Sequence, residues 1–278
     1  MSAGKRGLRS LPTFEIVMLL AGLVFVSPVV LALMNAFKTN REITMNPLAL
    51  PQELNLENFR YIFTGMAMGR PMLNSFLMCV AVIVSLIVFG AMAAYSITRR
   101  KMTMGRFLRL FLLAGLVIPF QIIMVPLMKE FRFLGIQFTY LALYLHYISW
   151  GLPLCIFIYS AFMSTIPGEL EEAAAIDGCG QMGTFWRIVF PLLTPCNVTI
   201  VIFWGLWIWN DFMQAFIVMG PDRGQLVFVQ LWRFLNDQYV KNWSYIFAGV
   251  VVLSLPVTVL YLAMQRRFVK GLTAGAIK

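Results

Sequence analysis

Residues able to do chemistry are scarce in this chain, and those present are unevenly placed. His146 is the single histidine, so a histidine-based metal site or a nucleophile–histidine–carboxylate arrangement has almost nothing to build on. The cysteines, Cys79, Cys155, Cys179 and Cys196, fall in no loop expected to lie outside. A disulfide framework is not expected, and a free thiol among apolar residues serves as a small packing group. The only Gly-Lys pair, Gly4-Lys5, is followed by Arg6; a phosphate-cradling loop needs G-x-x-x-x-G-K-[ST], so the chain has no ATP site of its own. Acid is concentrated in one stretch, IPGELEEAAAIDGCGQMGTFWRIVFPLLTP (166–195), where Glu169, Glu171, Glu172 and Asp177 stand against Arg187 alone in a chain of net charge +10. Of the other acids, Asp211 stands out by sitting within an apolar run, FWGLWIWNDFMQAF. No catalytic set and no metal set can be assembled from these residues. The chemistry left is docking and recognition.

The elements that must carry these groups are membrane helices. Hydrophobic residues make up 60% of the 278 positions and charged ones 12%, against roughly 25% charged in a soluble domain. A spanning helix needs about 20 apolar residues, and six such runs occur, near 14–37, 73–98, 107–127, 140–164, 195–218 and 244–265. The fold class expected is an all-α membrane protein of six transmembrane helices, one domain over 1–278. The basic N-terminal stretch followed by an apolar run resembles a signal peptide, yet that run is too long for one and no clean cleavage site follows, so a retained first span is expected.

Lys and Arg mark the cytoplasmic side. Lys5, Arg6 and Arg9, then Arg99, Arg100, Lys101 and Arg106, then Arg266, Arg267, Lys270 and Lys278 all fall on one side of a six-span layout. Both termini are therefore expected inside, with 38–72 and 219–243 as the larger outer loops. The positive charge reads as topology, and a nucleic-acid partner is not expected. The acidic stretch also falls inside, between the fourth and fifth spans, where it opposes the charge rule obeyed elsewhere. Such a break marks either a functional site or a solvated loop helix.

Locally the stretch reads as helix, turn, helix. Pro167 can open a helix, and Glu169, Glu171 and Glu172 then sit at the positive end of its dipole. Ala173 to Ala175 favour helix without bulk, and Gly178 can close it in a left-handed conformation. Thr184 can cap a second short helix that Pro191 stops. In the fifth span Asp211 costs about 2.5 to 3.5 kcal/mol if central, so it should face the bundle interior or water. Read as one helix, the span puts Phe203, Trp207, Asn210 and Gln214 on a common face with Trp204 and Asp211 on its flank. That face could hold a sugar, whose rings stack on aromatics and whose hydroxyls bond to amides and carboxylates. The same residues could equally be interface anchors or bonds to neighbouring helices. Pro119 and Pro126, Gly151 and Pro153, and Pro256 are further places where a span can break, though prolines are common in membrane helices.

The spacing in the acidic stretch is the most specific signal. Glu172-Ala173-Ala174, three residues, Gly178, nine residues, then Ile188, one residue, Phe190 and Pro191 resembles the EAA loop of ABC-importer membrane subunits, E-A-A, three residues, G, nine residues, I-x-L-P, with Phe190 in place of Leu. The segments NLENFRYIF (55–63), LNSF (73–76), IPFQIIMVPL (118–127), WND (209–211) and QRRFVKGLTAGAIK (265–278) are similar to the carbohydrate-uptake branch, the maltose-type second permease subunit. The resemblance implies the type I transmembrane fold of such importers, with the loop at about 166–191 acting as a coupling helix seated in an ATPase subunit. By position it implies that Glu172, Ala173, Ala174, Asp177 and Gly178 make the contact, while Ile188 and Pro191 anchor it to the fifth span. It further implies these partners: a second homologous permease, two copies of a cytoplasmic ABC ATPase holding ATP and Mg²⁺, an extracytoplasmic solute-binding protein and a carbohydrate substrate. The membrane would be a bacterial or archaeal plasma membrane. Trp207, Asn210, Asp211 and Gln214 are the candidate substrate-pathway residues.

Two other classes compete. A self-contained secondary transporter or channel should show intramembrane charge pairs or inverted repeats, whereas this sequence offers Asp211 and no convincing repeat. A membrane enzyme should show a nucleophile with a base, or a metal set. The EAA-like loop speaks against both.

Overall fold

Apolar side chains drive helix formation along nearly the whole chain in the computed structural model, which describes residues 11–99, 103–220, 226–236 and 242–276. In chain order the helices are α1 (Leu11–Ala36), α2 (Asn40–Met45), α3 (Glu57–Thr64), α4 (Gly69–Arg99), α5 (Thr103–Leu116), α6 (Phe120–Phe133), α7 (Tyr140–Met163), α8 (Glu169–Ile176), α9 (Gln181–Thr184), α10 (Phe190–Leu192), α11 (Thr194–Asn210), α12 (Met213–Met219), α13 (Val227–Asn236) and α14 (Trp243–Ala276), with a π-helical turn at Phe185–Val189. Among the described residues there is no strand. Of the basic topology markers, Lys5, Arg6, Arg9, Arg100, Lys101 and Lys278 lie outside the described residues, as do the side chains of Arg106, Arg266, Arg267 and Lys270.

Four helical segments are long and apolar enough to cross a membrane alone: Phe14–Ala36, Gly69–Arg99, Tyr140–Met163 and Trp243–Met264. Two bent pairs raise the number to six if each crosses as one span: Phe107–Leu116 with Phe120–Phe133, bent by 100°, and Gln181–Leu192 with Thr194–Asn210, bent by 69°.

The third apolar run (107–127) thus breaks at Pro119, one of the places where a span could break, and the fifth (195–218) is not the one helix expected. In the third, Pro119 sits in extended backbone (φ −62°, ψ 140°) at the head of α6. Its ring excludes the α conformation from Ile118 and its nitrogen has no proton to donate, so α5 ends at Leu116. In the fifth, Asp211 turns extended (ψ 124°) and α11 stops at Asn210. Pro126, Pro153 and Pro256, by contrast, stay inside α6, α7 and α14.

The helices form two compact units. The first holds residues 1–67 and 235–254. Its segment after α1 is tied by side chains: Lys38, 1% exposed, donates from Nζ to the carbonyls of Asn46 (3.3 Å) and Pro47 (3.1 Å). Asn58 donates to Ala36 O (2.9 Å) and Lys38 O (2.8 Å), and Tyr61 stacks on Tyr245 at 4.0 Å. Each bond satisfies a carbonyl that the end of α1 or the following loop would otherwise bury unpaired.

The second unit, 68–234 and 255–278, is built on α4 against α7, with α5, α11 and α12 also packing on this pair. The two helices approach closely where Gly90 of α4 faces Cys155 of α7; a Cβ at Gly90 would stand 3.0 Å from the Cys155 Cβ. Small residues at a helix crossing allow this close contact in a bundle that lipid does not drive together. Cys79, Cys155 and Cys196 are buried packing residues and Cys179 is half-buried, all as free thiols.

Candidate functional site

The acidic loop folds as α8, a tight turn, and then α9, the π turn and α10. Helix α8 begins after Gly168, so Pro167 lies just ahead of it, and Glu169, Glu171 and Glu172 occupy its first turn, where negative charge meets the positive end of the dipole. It closes in a Schellman motif: Cys179 N–H donates to Ala174 O (2.9 Å) and Gly178 N–H to Ala175 O (3.1 Å). Gly178 has φ +82°, the left-handed conformation this cap requires and a side chain would resist.

The second helix departs from expectation. It begins at Gln181 after Gly180, and Thr184 is buried inside it with its hydroxyl bonded back to Gly180 O (3.3 Å), so Thr184 caps nothing. Pro191 does not stop the helix either. It has no N–H for the Arg187 carbonyl and its ring crowds that carbonyl, so the backbone widens into a π turn in which Phe190 N–H reaches Phe185 O.

The two faces of α8 have different fates. Glu172, Ala173, Ala175, Ile176, Asp177 and Gly178 are exposed, Ile176 to 87%. Ala174, expected at the partner contact, is 3% exposed and faces this chain's own core. Glu171 also turns inward. Its Oε1 lies 2.6 Å from Arg99 Nε, its Oε2 accepts from Tyr95 OH (2.9 Å), and Arg99 Nη2 donates to Ile166 O (3.2 Å). Beyond the turn, Phe185 and Val189 are the buried anchors, whereas Ile188 is half-buried and Pro191 exposed. Phe185 packs on Tyr95 at 5.1 Å between ring centroids. Sequence reasoning missed Tyr95 entirely and read Arg99 only as a topology marker. The signal available was the i,i+3 spacing of Glu171 and Ala174, which puts both on one side of a short helix.

The candidate pathway residues do not share one face. Because α11 ends at Asn210, the register breaks before Gln214. Asp211 caps α12, accepting from Gln214 N–H (3.3 Å) and Ala215 N–H (2.9 Å), and also accepts from Tyr147 OH (2.7 Å). Gln214 is buried and its Oε1 accepts from His146 Nε2 (2.6 Å). Trp207 is half-buried with its edge toward Tyr147 (5.9 Å), and Asn210 is exposed with its amide bonded to Leu206 O (2.8 Å). Trp204 is buried and Phe203 is exposed. Asp211 and Gln214 are thus occupied within the chain, Trp207 is half-buried as Asp211 is, and Asn210 is the exposed member of the set. No group of three or more metal-ligating side chains occurs among the described residues.

Comparison with known proteins places these features in a wider set. A family model described as "binding-protein-dependent transport system inner membrane component" matches residues 86–274. A probable starch degradation products transport system permease protein of Thermoanaerobacterium thermosulfurigenes is 32% identical over 259 residues, 92% of this chain and 93% of that protein. A melibiose/raffinose/stachyose import permease protein of Bacillus subtilis is 34% identical over 230 residues, 82% of this chain and 83% of that one. In fold, the chain is similar to a solved bacterial ABC transporter involved in the import of the acidic polysaccharide alginate, with a TM-score of 0.84 at 18% identity, covering 96% of this chain and 100% of that chain.

Proposed function

The chain belongs to the family of binding-protein-dependent transport system inner membrane components, and from that premise we propose that it is the permease of an ABC importer for a sugar or oligosaccharide. As a permease it is a multi-pass inner-membrane transport component and not an enzyme. Its relatives named for starch degradation products and for melibiose, raffinose and stachyose support a carbohydrate substrate. The observation that carries the mechanism is the exposed face of α8: Glu172, Ala173, Ile176 and Asp177 lie together on a helix fixed by the Gly178 turn. A small, apolar face rimmed with acid suits close docking in a cleft carrying basic groups.

The remaining parts follow. Two copies of a cytoplasmic ATPase bind ATP and Mg²⁺, and closure of that pair moves the coupling helix. Ile188 and Pro191 join it to the fifth span, and the movement opens the pathway alternately to each side. Both termini lie in the cytoplasm, six spans form half the pathway, and a second homologous permease forms the other half. An external binding protein delivers the sugar, and exposed Asn210 with half-buried Trp207 are the residues of this subunit proposed to meet it.

Purification from native membranes in mild detergent, with mass spectrometry of the companions, tests this reading. A second permease and a Walker-motif ATPase are the expected companions, and uptake in proteoliposomes should then require ATP and the binding protein. A homo-oligomer that transports without any ATPase would instead make the chain a self-contained secondary transporter or channel.

A further inference from the structure

The acid next to the docking face has a different job from the face itself. Glu171 and Glu172 are neighbours in sequence, yet Glu172 is exposed while the Glu171 side chain is 17% and its partner Arg99 23% exposed. Arg99 is the last residue of α4, and its guanidinium holds two points of the loop at once: the Glu171 carboxylate at 2.6 Å and the Ile166 carbonyl, ahead of α8, at 3.2 Å. The planar guanidinium reaches both with separate nitrogens, Nε toward the carboxylate and Nη2 toward the carbonyl. Tyr95, one turn earlier on α4, gives its hydroxyl to the other Glu171 oxygen at 2.9 Å and its ring to Phe185 beyond the turn. The limb entering α8 and the limb leaving the turn are therefore both fastened to the last turn of one membrane helix. That helix packs along α7 and α11.

We propose that Arg99, Glu171 and Tyr95 form the joint through which a displacement of α8 is delivered to α4. This rests on the importer reading above and adds where the force enters the membrane part. The three are positioning residues: none lies on the exposed face of α8. A well-packed apolar contact at this place would glue the loop down. A largely buried ion pair with a hydroxyl at its side keeps direction while the helix tilts, because charge attraction falls off slowly with distance and does not depend on one fixed contact geometry.

The test uses the whole importer, with partner permease, ATPase and binding protein, in proteoliposomes. ATP hydrolysis and sugar uptake are measured together, alongside ATPase recovery in pull-down. Glu171→Gln and Arg99→Gln should retain the ATPase and continue to hydrolyse ATP, while sugar carried per ATP falls by about fivefold or more, the low end of measured couplings between sites. Tyr95→Phe should give a smaller loss of the same kind. The double exchange Arg99→Glu with Glu171→Arg should recover part of the ratio that either single exchange loses, which a mere packing role would not do. An unchanged ratio in Glu171→Gln, or loss of the ATPase from that variant, would overturn the joint while leaving the importer reading intact. Absence of any ATPase from the unmodified complex would overturn both.

Discussion

Two carboxylates in the second unit each accept a hydrogen bond from a tyrosine hydroxyl, Glu171 from Tyr95 and Asp211 from Tyr147, at 2.9 and 2.7 Å. Their other partners set them apart. Glu171 is completed by the guanidinium of Arg99, so its bonds run from a loop helix to a membrane helix. Asp211 has no ion pair among the described residues and is completed by two N–H groups of the helix it precedes. The first arrangement links two elements that could move against each other. The second fixes a break inside what would otherwise be one apolar helix, because backbone donors of α12 that would be orphaned at its start are satisfied on the spot. An acid next to a membrane can thus be a joint or a cap, and only the partners tell which.

The largest effect expected in the acidic loop is from Gly178→Val. No atom stands within 4 Å of a Cβ at this position, so the harm is purely conformational at φ +82°. A left-handed residue costs roughly 1 to 2 kcal/mol, more when β-branched, so uptake should fall about tenfold while the protein still inserts in the membrane. Gly183→Ala, which also meets open space but lies within α9, should leave uptake intact. Equal uptake by both variants would show that the turn does not place α8 for coupling as proposed.

On the membrane side Asp211→Ala should act on stability. It leaves the Tyr147 hydroxyl and the first N–H groups of α12 unpaired, which costs about 1 to 3 kcal/mol, seen as a lower melting temperature in detergent. Asp211→Asn keeps an acceptor and should lose less, and Tyr147→Phe about 1 kcal/mol. If Asp211→Ala abolished uptake with its melting temperature unchanged, the cap assignment would fail and Asp211 would return to the substrate pathway.

How far the sequence reached follows from the same distinction. The helices were legible because apolar runs of spanning length leave little other choice, and the α8 turn because glycine after an alanine-rich helix has a local reason to be there. The inward turn of Glu171 was not, since its cause lies in Tyr95 and Arg99, brought to it only by the packing of α4. The break at Asp211 fell between these cases. Hydrophobicity continued through residue 218 and argued for one span, yet an aspartate three and four residues ahead of free N–H groups is a capping signal that local reading can see. The early stop of α5 carried its signal openly in Pro119. The π turn was hidden because Pro191 reads as a terminator, while here the helix widens around it.

A third acid sharpens the comparison by having neither tyrosine nor arginine. Glu42, in α2 of the first unit, accepts from Thr39 N–H (2.7 Å), Thr39 OH (2.8 Å) and Gln52 N–H (3.0 Å). These bonds, Thr39 N–H first and Gln52 N–H next, hold its carboxyl below the ordinary value of 4.5, with Lys38 adding a little. The depressed value means that the order contributed by Glu42 is present above 4.5 and lost as pH falls through the lower folded value. A nitroxide at Met45, 71% exposed at the end of α2, should report an unchanged line shape from neutral pH down to about 5 and faster motion below 4.5. Glu42→Gln should remove that dependence, since its amide keeps one acceptor and has no proton to gain. The same acid response in Glu42→Gln would show that Glu42 is not the group that governs it. Glu42 would then be shown to cap its helix without governing the loop, leaving Glu171, with its cation, as the only one of the three acids able to carry movement between elements.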